Sequence, residues 1–322
     1  MRRWFAAGIV LAATALLATG PASAQQFPSK PIRIVVPFGG GSITDILGRV
    51  IGQELSKAVG QPVIVENKPG GDGAVGALEV IKAAPDGHTI FLSTNSPMSV
   101  VPHLHKQPLY DPLVDFTPIT FLGRSTFFLV VHPSVPAKNF AELVAHAKAN
   151  PKKLAYATGN TTSIVGTALI AKQGGIEMIQ VPYKTEPQAI TDLLSGQVQV
   201  MLSASTTVMP HIQDGKLKPI FTILPARSPL LPDVPSLVEA GLPKFPVGPW
   251  GAFVGPAKMP KDVIERLNKE LVAIFVKPEV AAQFQKYGFT AEGTTPDELA
   301  AFLKDQLKVW GETMKIAGIE PQ

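Results

Sequence analysis

The stretch IVVPFGGGSITDILGR, residues 34–49, decides the fold prediction for this chain. It starts with an apolar run typical of a buried strand, passes through a glycine cluster and ends in an apolar pattern with helical spacing. We therefore predict a strand over 32–38 and a helix over 43–60. The first N–H groups of a helix have no partner within the helix and carry a partial positive charge. The turn is thus suited to bind a carboxylate or a phosphate, and its glycines let the backbone approach the anion closely.

The residues of this turn exclude two kinds of nucleotide site but leave a structural role open. The spacing G-x-G-x-x-G of dinucleotide-binding turns is absent, and so is the G-K-[ST] of phosphate-binding P-loops. A glycine-rich connection between a strand and a helix is also common in α/β folds without any ligand. The turn alone therefore leaves an anion site and a purely structural role equally open.

Strand-like and helix-like segments alternate along the rest of the chain. A strand over 62–67, a helix over 76–85 and a strand over 89–94 give a βαβαβ order, which predicts a parallel sheet with helices on both faces. Residues 127–227 repeat this arrangement, and amphipathic helices end the chain. The Pro- and Gly-rich segment 241–251 predicts a return crossover. We therefore predict an α/β protein of two lobes, with a hinged cleft suited to close on a small ligand.

The N-terminal segment has the layout of a secretory signal peptide. Arg2 and Arg3 precede an apolar run, and small residues at Ala22 and Ala24 follow it, which predicts export to the periplasm and cleavage after Ala24. A membrane anchor is the alternative, but the apolar run is shorter than the ~20 residues that span a bilayer. The predicted domains are a signal peptide over 1–24, lobe one over 25–125 plus 249–322, and lobe two over 126–248.

Composition argues against several classes of function. The absence of Cys excludes thiol catalysis, thiolate metal sites and disulfides. The formal charge of +4 falls to +2 without Arg2 and Arg3, too even a balance for a nucleic-acid-binding protein. His103 and His105 lie close together but have no carboxylate at metal-ligand spacing. Neither G-x-S-x-G nor H-E-x-x-H occurs, so we expect no enzyme activity, no metal and no cofactor.

Two further polar loops follow predicted strands. In LAYATGNTTSIVG, residues 154–166, a strand again runs through a polar turn into a helix, and STNSP, residues 93–97, closes a third strand. Ligands in open α/β sheets bind at the carboxyl ends of strands, so these loops predict one shared cleft. Helix capping is the alternative, because Ser, Thr and Asn prefer such positions without any ligand.

Several segments together resemble one family. They are KPIRIVVPF (30–38), VENKPGGDGAVG (65–76), LYDPLVDFTPI (109–119), VPYK (181–184), DLLSGQV (192–198), RSPLLPDVPSLVEAGLP (227–243) and TPDELAAFLKDQLKVWG (295–311). In this order they resemble the Bug receptors, the extracytoplasmic substrate-binding proteins of tripartite tricarboxylate transporters. The resemblance covers nearly the whole chain after the predicted signal peptide.

The resemblance implies a two-lobe periplasmic-binding-protein-like fold that closes on a small carboxylate. In this family the first β–α loop and the matching loop of lobe two pinch one carboxylate through backbone N–H groups, hydroxyls and bridging waters. These loops correspond to 38–45 and 158–163, and a strand-end loop at Thr94 and Asn95 lines the pocket. The candidate ligand-binding residues are Phe38, Gly40, Gly41, Ser42, Thr44, Asp45, Thr94, Asn95, Thr158, Asn160, Thr161, Thr162, Ser163 and Ser203.

The chain departs from the family's usual residues at loop positions, which are Ser42, Asn160, Thr162, Gly166, Thr185, Glu186 and Ser203. Ser203 stands where many members have an Asp, so a partner for a ligand ammonium is lost and an amino-acid ligand is disfavoured. Glu186, if it faces the cleft, favours a ligand group that donates hydrogen bonds. Phe38 and Trp250 could cover an aliphatic or aromatic ligand, although hinge packing is favoured for Trp250.

These observations favour a periplasmic receptor that captures a di-, tri- or aromatic carboxylate as a monomer and delivers it to membrane transporter subunits. A ligand-binding sensor subunit that signals to a membrane kinase is the alternative, because the same cleft would serve both roles. A secreted hydrolase or isomerase with Asp45 or Glu186 as its base is less favoured, since the predicted loops are poor in acid–base groups.

Overall fold

A computed structural model describes residues 27–243 and 245–321 of this chain. The predicted signal peptide and its cleavage site lie outside these residues. Within the part of the chain that is described, none of the helices combines the length and the apolar character needed to cross a membrane.

The first of two sheets has six strands, with the order β11-β4-β10-β3-β1-β2. These strands are β1 (Ile32–Val36), β2 (Val63–Asn67), β3 (Thr89–Thr94), β4 (Phe116–Ser125), β10 (Trp250–Pro256) and β11 (Phe289–Ala291). Strand β1 pairs in parallel with β2 and β3, with Ile32 opposite Val63 and Arg33 opposite Thr89. Strand β10 is antiparallel to both of its neighbours, β3 and β4.

Helices cover both faces of this first sheet. They are α1 (Ile43–Val59), α2 (Ala74–Ile81), the short α3 (Val101–Leu104), α8 (Lys261–Phe275), α9 (Pro278–Lys286) and α10 (Pro296–Ala317). Apolar residues of α1, α8 and α9 form one core with the sheet, and those of α2 and α10 form another on the opposite face.

The second sheet has five strands, with the order β7-β6-β8-β5-β9. These strands are β5 (Phe127–Val131), β6 (Ala155–Thr158), β7 (Ile179–Pro182), β8 (Val200–Ala204) and β9 (Lys218–Thr222). The helices between them are α4 (Phe140–Ala149), α5 (Thr161–Gly174), α6 (Glu186–Leu194) and α7 (Ser205–Gln213). Side chains from α4 and α5 form the core on one face, and those from α6 and α7 form the core on the other.

This arrangement confirms the predicted α/β fold of two lobes and the parallel pairing predicted for the first three strands, since β1 pairs in parallel with β2 and β3. A sheet that is parallel throughout is not formed. Both sheets are mixed, because β10 runs antiparallel to β3 and β4, and β5 runs antiparallel to β8 and β9. The predicted crossover over 241–251 is two residues too long, because Trp250 and Gly251 already belong to β10. The predicted domain boundaries at 125/126 and 248/249 stay a prediction.

The sequence signals around α1 produce the expected helix. The side chain of Ser42 caps its start by accepting a hydrogen bond from the Asp45 backbone N–H. Leu47, Ile51 and Leu55 recur every fourth residue and are fully buried against the sheet, which gives the helix its core face. Gly60 ends the helix with a left-handed backbone conformation, at φ 69°.

A small apolar cluster joins elements of the two sheets. Val100 follows β3, and Trp310 and Met314 lie on α10, while Val165 lies on α5 and Val247 precedes β10. All five side chains are buried. The C-terminal helix therefore contacts both the first sheet and a helix of the second.

Candidate functional site

A cavity of about 160 Å³ lies between the two sheets. Its walls include the loops that follow β1, β3 and β6 and the end of β8, so it lies at the carboxyl ends of strands from both sheets. Its volume is roughly ten times what a single buried water needs. The predicted relation between polar strand ends and one shared cleft is therefore present in the structure.

The loop after β1 is shaped by Gly41 and braced by Asp45. Gly41 has φ +82°, a conformation that suits glycine, and its N–H donates to Asp45 Oδ2 at 2.9 Å. Asp45 Oδ1 also forms an ion pair with Arg49 at 2.8 Å. Burial acts to raise the pKa of Asp45, but hydrogen bonds from Arg49 and Gly41 hold that pKa below its usual value. Asp45 therefore stabilises the turn and does not line the cavity.

Backbone donors of this loop remain free for a ligand. The N–H groups of Gly40, Ile43 and Thr44 donate to no acceptor within residues 27–243 and 245–321, and all three residues line the cavity. The hydroxyls of Ser42 and Thr44 lie 3.1 Å apart and bond to each other, so one of the two hydroxyl protons is left to donate to a ligand. This end of the cavity therefore offers unpaired N–H groups at a helix start, where an anion is favoured.

The loop after β6 mainly organises the start of α5. Asn160 and Ser163 form a capping box, in which Asn160 Oδ1 accepts from Ser163 N at 2.9 Å and Ser163 Oγ accepts from Asn160 N at 3.3 Å. Asn160 and Thr162 line the cavity, whereas Ser163 does not. Capping, the alternative reading of these residues, is thus the observed role of Ser163.

The loop after β3 bonds directly to the start of α5. Asn95 Nδ2 donates to Thr162 Oγ1 at 3.0 Å, and Ser96 Oγ lies 2.5 Å from Thr161 Oγ1. All of these side chains are buried. These two contacts connect the first sheet to the second beside the cavity.

Glu186, the first residue of α6, brings a carboxylate to the cavity wall. A side chain at Gly159 would lie 2.7 Å from the Glu186 backbone nitrogen, so glycine there permits the close approach of the two loops. Burial raises the pKa of Glu186, and hydrogen bonds from its neighbours oppose that shift without cancelling it. The residue as a whole is only half-buried because it faces the cavity, whereas its carboxylate is enclosed by donors.

Four hydrogen bonds reach the Glu186 carboxylate. Oε1 accepts from Asn160 Nδ2 at 2.8 Å, from Ser203 Oγ at 3.2 Å and from Ala204 N at 3.3 Å. Oε2 accepts from Thr207 Oγ1 at 3.1 Å. A carboxylate therefore lies next to Ser203, and Glu186 supplies it instead of the residue at position 203.

The remaining wall of the cavity is apolar. It is formed by Phe38, Ile43, Leu47, Leu92, Leu122, Phe127, Pro187, Pro249, Trp250 and Phe289. Trp250 packs against Phe302 with ring centroids 5.2 Å apart, and its Nε1 donates to Gln306 Oε1 at 3.2 Å. Trp250 therefore has a packing role and also lines the cavity. Among the described residues, no Lys, Arg or His lines the cavity, and Glu186 is its one acid.

The structure brings some of the predicted ligand-binding residues to the cavity and not others. Those that line it are Phe38, Gly40, Ser42, Thr44, Thr94, Asn95, Asn160 and Thr162. Those that do not line it are Gly41, Asp45, Thr158, Thr161, Ser163 and Ser203. The hydroxyl of Thr158 accepts from Gln180 Nε2, and that of Ser203 donates to Glu186.

Other lining residues were not predicted, and most carry no local sequence signal. Leu122, Phe127 and Phe289 come from β4, β5 and β11, where they look like ordinary strand residues. Gly159 and Ser96 could have been found, since each is adjacent to a predicted residue in a polar loop. Of the three glycines in the first turn, only Gly41 has positive φ, so only this position uses the left-handed conformation that glycine permits.

Comparisons with known proteins match this chain to one family. The profile of the family described as "Tripartite tricarboxylate transporter family receptor" matches residues 47–319. The chain is 32% identical over 315 residues to Protein BugT of Bordetella pertussis, covering 97% of this chain and 96% of that protein.

Two solved structures share the architecture. Rpa4515 of R. palustris, solved with adipate, has a TM-score of 0.88 and 28% identity, covering 92% of this chain and 100% of that one. MatC of Rhodopseudomonas palustris, solved with bound malate, has a TM-score of 0.83 and 28% identity, covering 89% of this chain and 99% of that one.

Proposed function

The chain belongs to the tripartite tricarboxylate transporter receptor family, and from that membership we propose that it captures a small organic carboxylate for a tripartite transporter. One observation carries this proposal: Gly40, Ile43 and Thr44, whose backbone N–H groups have no partner among the described residues, line a cavity between the two sheets. Helix N-termini favour negative charge, so a ligand carboxylate has a suitable place at this loop.

Other helix starts also lie at the cavity, but Glu186 already accepts hydrogen bonds from donors there, so the support for an anionic ligand comes from the loop after β1 and from similar proteins. Asn160 caps α5, Glu186 begins α6, Ala204 caps α7, and all three line the cavity. The adipate and malate in the structures of similar proteins are small carboxylates. We extend that ligand class to this chain.

The place of the protein in the cell and its partners belong to the same proposal. Receptors of this family serve tripartite transporters, so we expect the protein in the periplasm as a monomer after cleavage behind Ala24. The mass of the secreted protein should then correspond to a chain that begins at Gln25. Hinged closure of the two predicted lobes around the ligand would present the liganded form to the membrane subunits.

A thermal-shift panel tests the carboxylate proposal. Purified protein is heated with aliphatic and aromatic carboxylates, and with neutral alcohols and sugars of similar size as controls. A carboxylate at 100 times its Kd should stabilise the folded state by about 2.7 kcal/mol, which raises the melting temperature by a readily measured amount. Stabilisation by a neutral solute, with none by any carboxylate, would contradict the proposal.

Transport and catalysis are separated by following the bound molecule. For a receptor, the ligand is recovered chemically unchanged after incubation, as judged by NMR. Cells that carry the membrane subunits should take up the labelled ligand only when this protein is present. Unchanged uptake in its absence, or conversion of the ligand by the purified protein, would favour a sensor or an enzyme instead.

A further inference from the structure

Glu186 occupies hydrogen-bond donors that a ligand carboxylate would otherwise use. Asn160 Nδ2, Ala204 N and the hydroxyls of Ser203 and Thr207 all converge on its two carboxylate oxygens. These donors belong to the second sheet and to the helix starts that follow its strands. They form an anion site of the kind expected there, and a side chain of the protein itself fills it.

We propose that Glu186 acts as a built-in carboxylate that fills the anion site of the second sheet, so that this receptor selects monocarboxylates and rejects dicarboxylates. The inference rests on the proposed carboxylate-binding function. The ligand then places its single carboxylate at the loop after β1, against the N–H groups of Gly40, Ile43 and Thr44. The rest of the ligand extends towards Glu186 without a second negative charge.

Charge around the cavity supports this selectivity. Within the described residues, no cationic side chain lines the cavity, so nothing would offset a second ligand carboxylate beside Glu186. Like charges a few ångströms apart in a partly desolvated site repel each other strongly. A dicarboxylate would also find the donors of the second sheet already engaged.

The apolar wall of the cavity indicates the chemistry of the part of the ligand that carries no carboxylate. Leu47, Leu92, Leu122, Phe127 and Phe289 line the cavity around its polar ends. Contact with such side chains favours an unsubstituted aliphatic chain or an aromatic ring over a polyhydroxylated skeleton. The substrate class is therefore a monocarboxylate with an apolar body.

Two substitutions at Glu186 distinguish the effect of its negative charge from the effect of its side chain occupying the hydrogen-bond donors. In Glu186→Gln the amide oxygen can keep the three bonds of Oε1, and its NH₂ can donate to the Thr207 hydroxyl, so the shape is retained and only the charge is lost. Glu186→Ala removes the side chain and frees its donors for a ligand. Glu312→Gln is the matched control, since Glu312 is exposed on α10 and does not line the cavity.

The experiment measures Kd by calorimetry at pH 8 for matched pairs of acids: butanoate and succinate, hexanoate and adipate, benzoate and terephthalate. The wild type should bind the monocarboxylate of its preferred pair at least about tenfold more tightly than the dicarboxylate, since a second charge faces Glu186. Glu186→Gln should reduce this preference for the monocarboxylate. Glu186→Ala should reduce it further or make the dicarboxylate bind more tightly. Glu312→Gln should leave it unchanged.

Three results would overturn the inference and leave the carboxylate receptor intact. The first is a wild type that prefers the dicarboxylate in every pair. The second is a ratio of the dicarboxylate Kd to the monocarboxylate Kd that neither substitution at Glu186 changes. If the Glu186→Ala protein does not fold, the Glu186→Gln protein alone decides this result. The third is tighter binding of 6-aminohexanoate than of hexanoate, because Glu186 would then serve as the counter-ion of a ligand ammonium. If no acid binds at all, the proposed function fails and the inference fails with it.

Discussion

Gly41 and Gly60 have similar backbone conformations at opposite ends of α1, yet only Gly41 belongs to the loop at the cavity. Their φ angles are +82° and +69°, and added side chains would contact nothing within 4 Å at either position. A side chain at each position therefore costs stability through backbone strain alone, by about 1–2 kcal/mol. The two glycines differ in function and not in strain, which makes them a matched pair.

We predict that Gly41→Ala and Gly60→Ala lower the free energy of unfolding by similar amounts, but that only Gly41→Ala weakens ligand binding. The Gly41 N–H holds Asp45 at 2.9 Å, so a change of its φ displaces the neighbouring donors of Gly40 and Ile43. Urea unfolding gives the stability of both variants, and calorimetry gives their affinity. Equal affinity losses in the two variants would show that the loop geometry is irrelevant to binding.

The raised pKa of Glu186 predicts the direction in which the stability of the folded protein changes with pH. Burial raises its pKa in the folded protein, whereas in the unfolded chain the pKa is about 4.3. Between these two values the unfolded state releases the proton first, so the contribution of Glu186 to stability is full below about pH 4.3 and falls as the pH rises. Above the folded pKa the contribution stays at its lower value.

The melting temperature of the ligand-free wild type, relative to that of Glu186→Gln, should therefore fall as the pH rises from 4 and then level off. The difference between the two proteins removes the effect of Asp45 and the other carboxyls whose pKa values are lowered, since these groups are common to both. A difference that rises with pH would mean that the folded state favours the ionised form of Glu186.

At the scale of elements, the start of α5 is a junction between the sheets. Thr162 and Thr167 are both buried on this helix, but they differ in their hydrogen bonds. Thr162 Oγ1 accepts from Asn95 Nδ2 across the junction, whereas Thr167 Oγ1 has no partner among the described residues. The same isosteric substitution at the two positions therefore tests the junction alone.

We predict that Thr162→Val destabilises the protein by about 1 kcal/mol or more and lowers ligand affinity, because it leaves a buried amide donor of Asn95 unpaired. Thr167→Val should be neutral or slightly stabilising, since it replaces an unsatisfied hydroxyl by a methyl group. Thermal unfolding and calorimetry measure both effects. A Thr162→Val protein with the properties of Thr167→Val would remove the junction from the binding mechanism.

The elements that the sequence predicted best are those with a strong local signal. Helix α1 has a capping Ser42, regularly spaced apolar residues and Gly60 at its end, and each of β1 to β3 contains three consecutive apolar residues. Strands β4 and β10 were missed because each includes Pro and Gly, which ordinarily indicate loops. Register shifts at Gly251/Ala252 and Phe253/Val254 accommodate these residues within the sheet.

The candidate site was predictable only as far as the loops that follow predicted strands. Ser42, Thr44, Asn95 and Thr162 were found because polar residues at strand ends have a known relation to ligands. Nothing local shows that the Thr161 hydroxyl points to Ser96 and away from the cavity. The position of Glu186 depends on Gly159, whose lack of a side chain brings together two loops that are distant in sequence.

At the scale of the whole molecule, the cluster of Val100, Val165, Val247, Trp310 and Met314 connects the two sheets. Trp310 is 1% exposed and extends from the C-terminal helix α10 towards α5. Its removal would leave a cavity between elements of both sheets, and this cavity would weaken their connection.

We predict that Trp310→Ala lowers the free energy of unfolding by about 3–5 kcal/mol, as expected for a large buried aromatic residue. Ligand affinity should fall as well, because the ligand must then stabilise a less constrained pair of sheets. Ile316→Ala is the control, since Ile316 lies on the same helix and is 55% exposed. Denaturant titration and calorimetry of both variants decide whether the cluster has this role.

The positions of the tryptophan side chains make intrinsic fluorescence a probe of ligand binding. Of the three tryptophans, Trp4 belongs to the predicted signal peptide, Trp250 lines the cavity and Trp310 lies where the sheets meet. In a chain that begins at Gln25, tryptophan fluorescence therefore reports on two locations, one beside the bound ligand and one between elements of the two sheets. Replacing either ring by Phe would resolve whether emission changes on mixing originate from occupancy or from movement, without any attached dye.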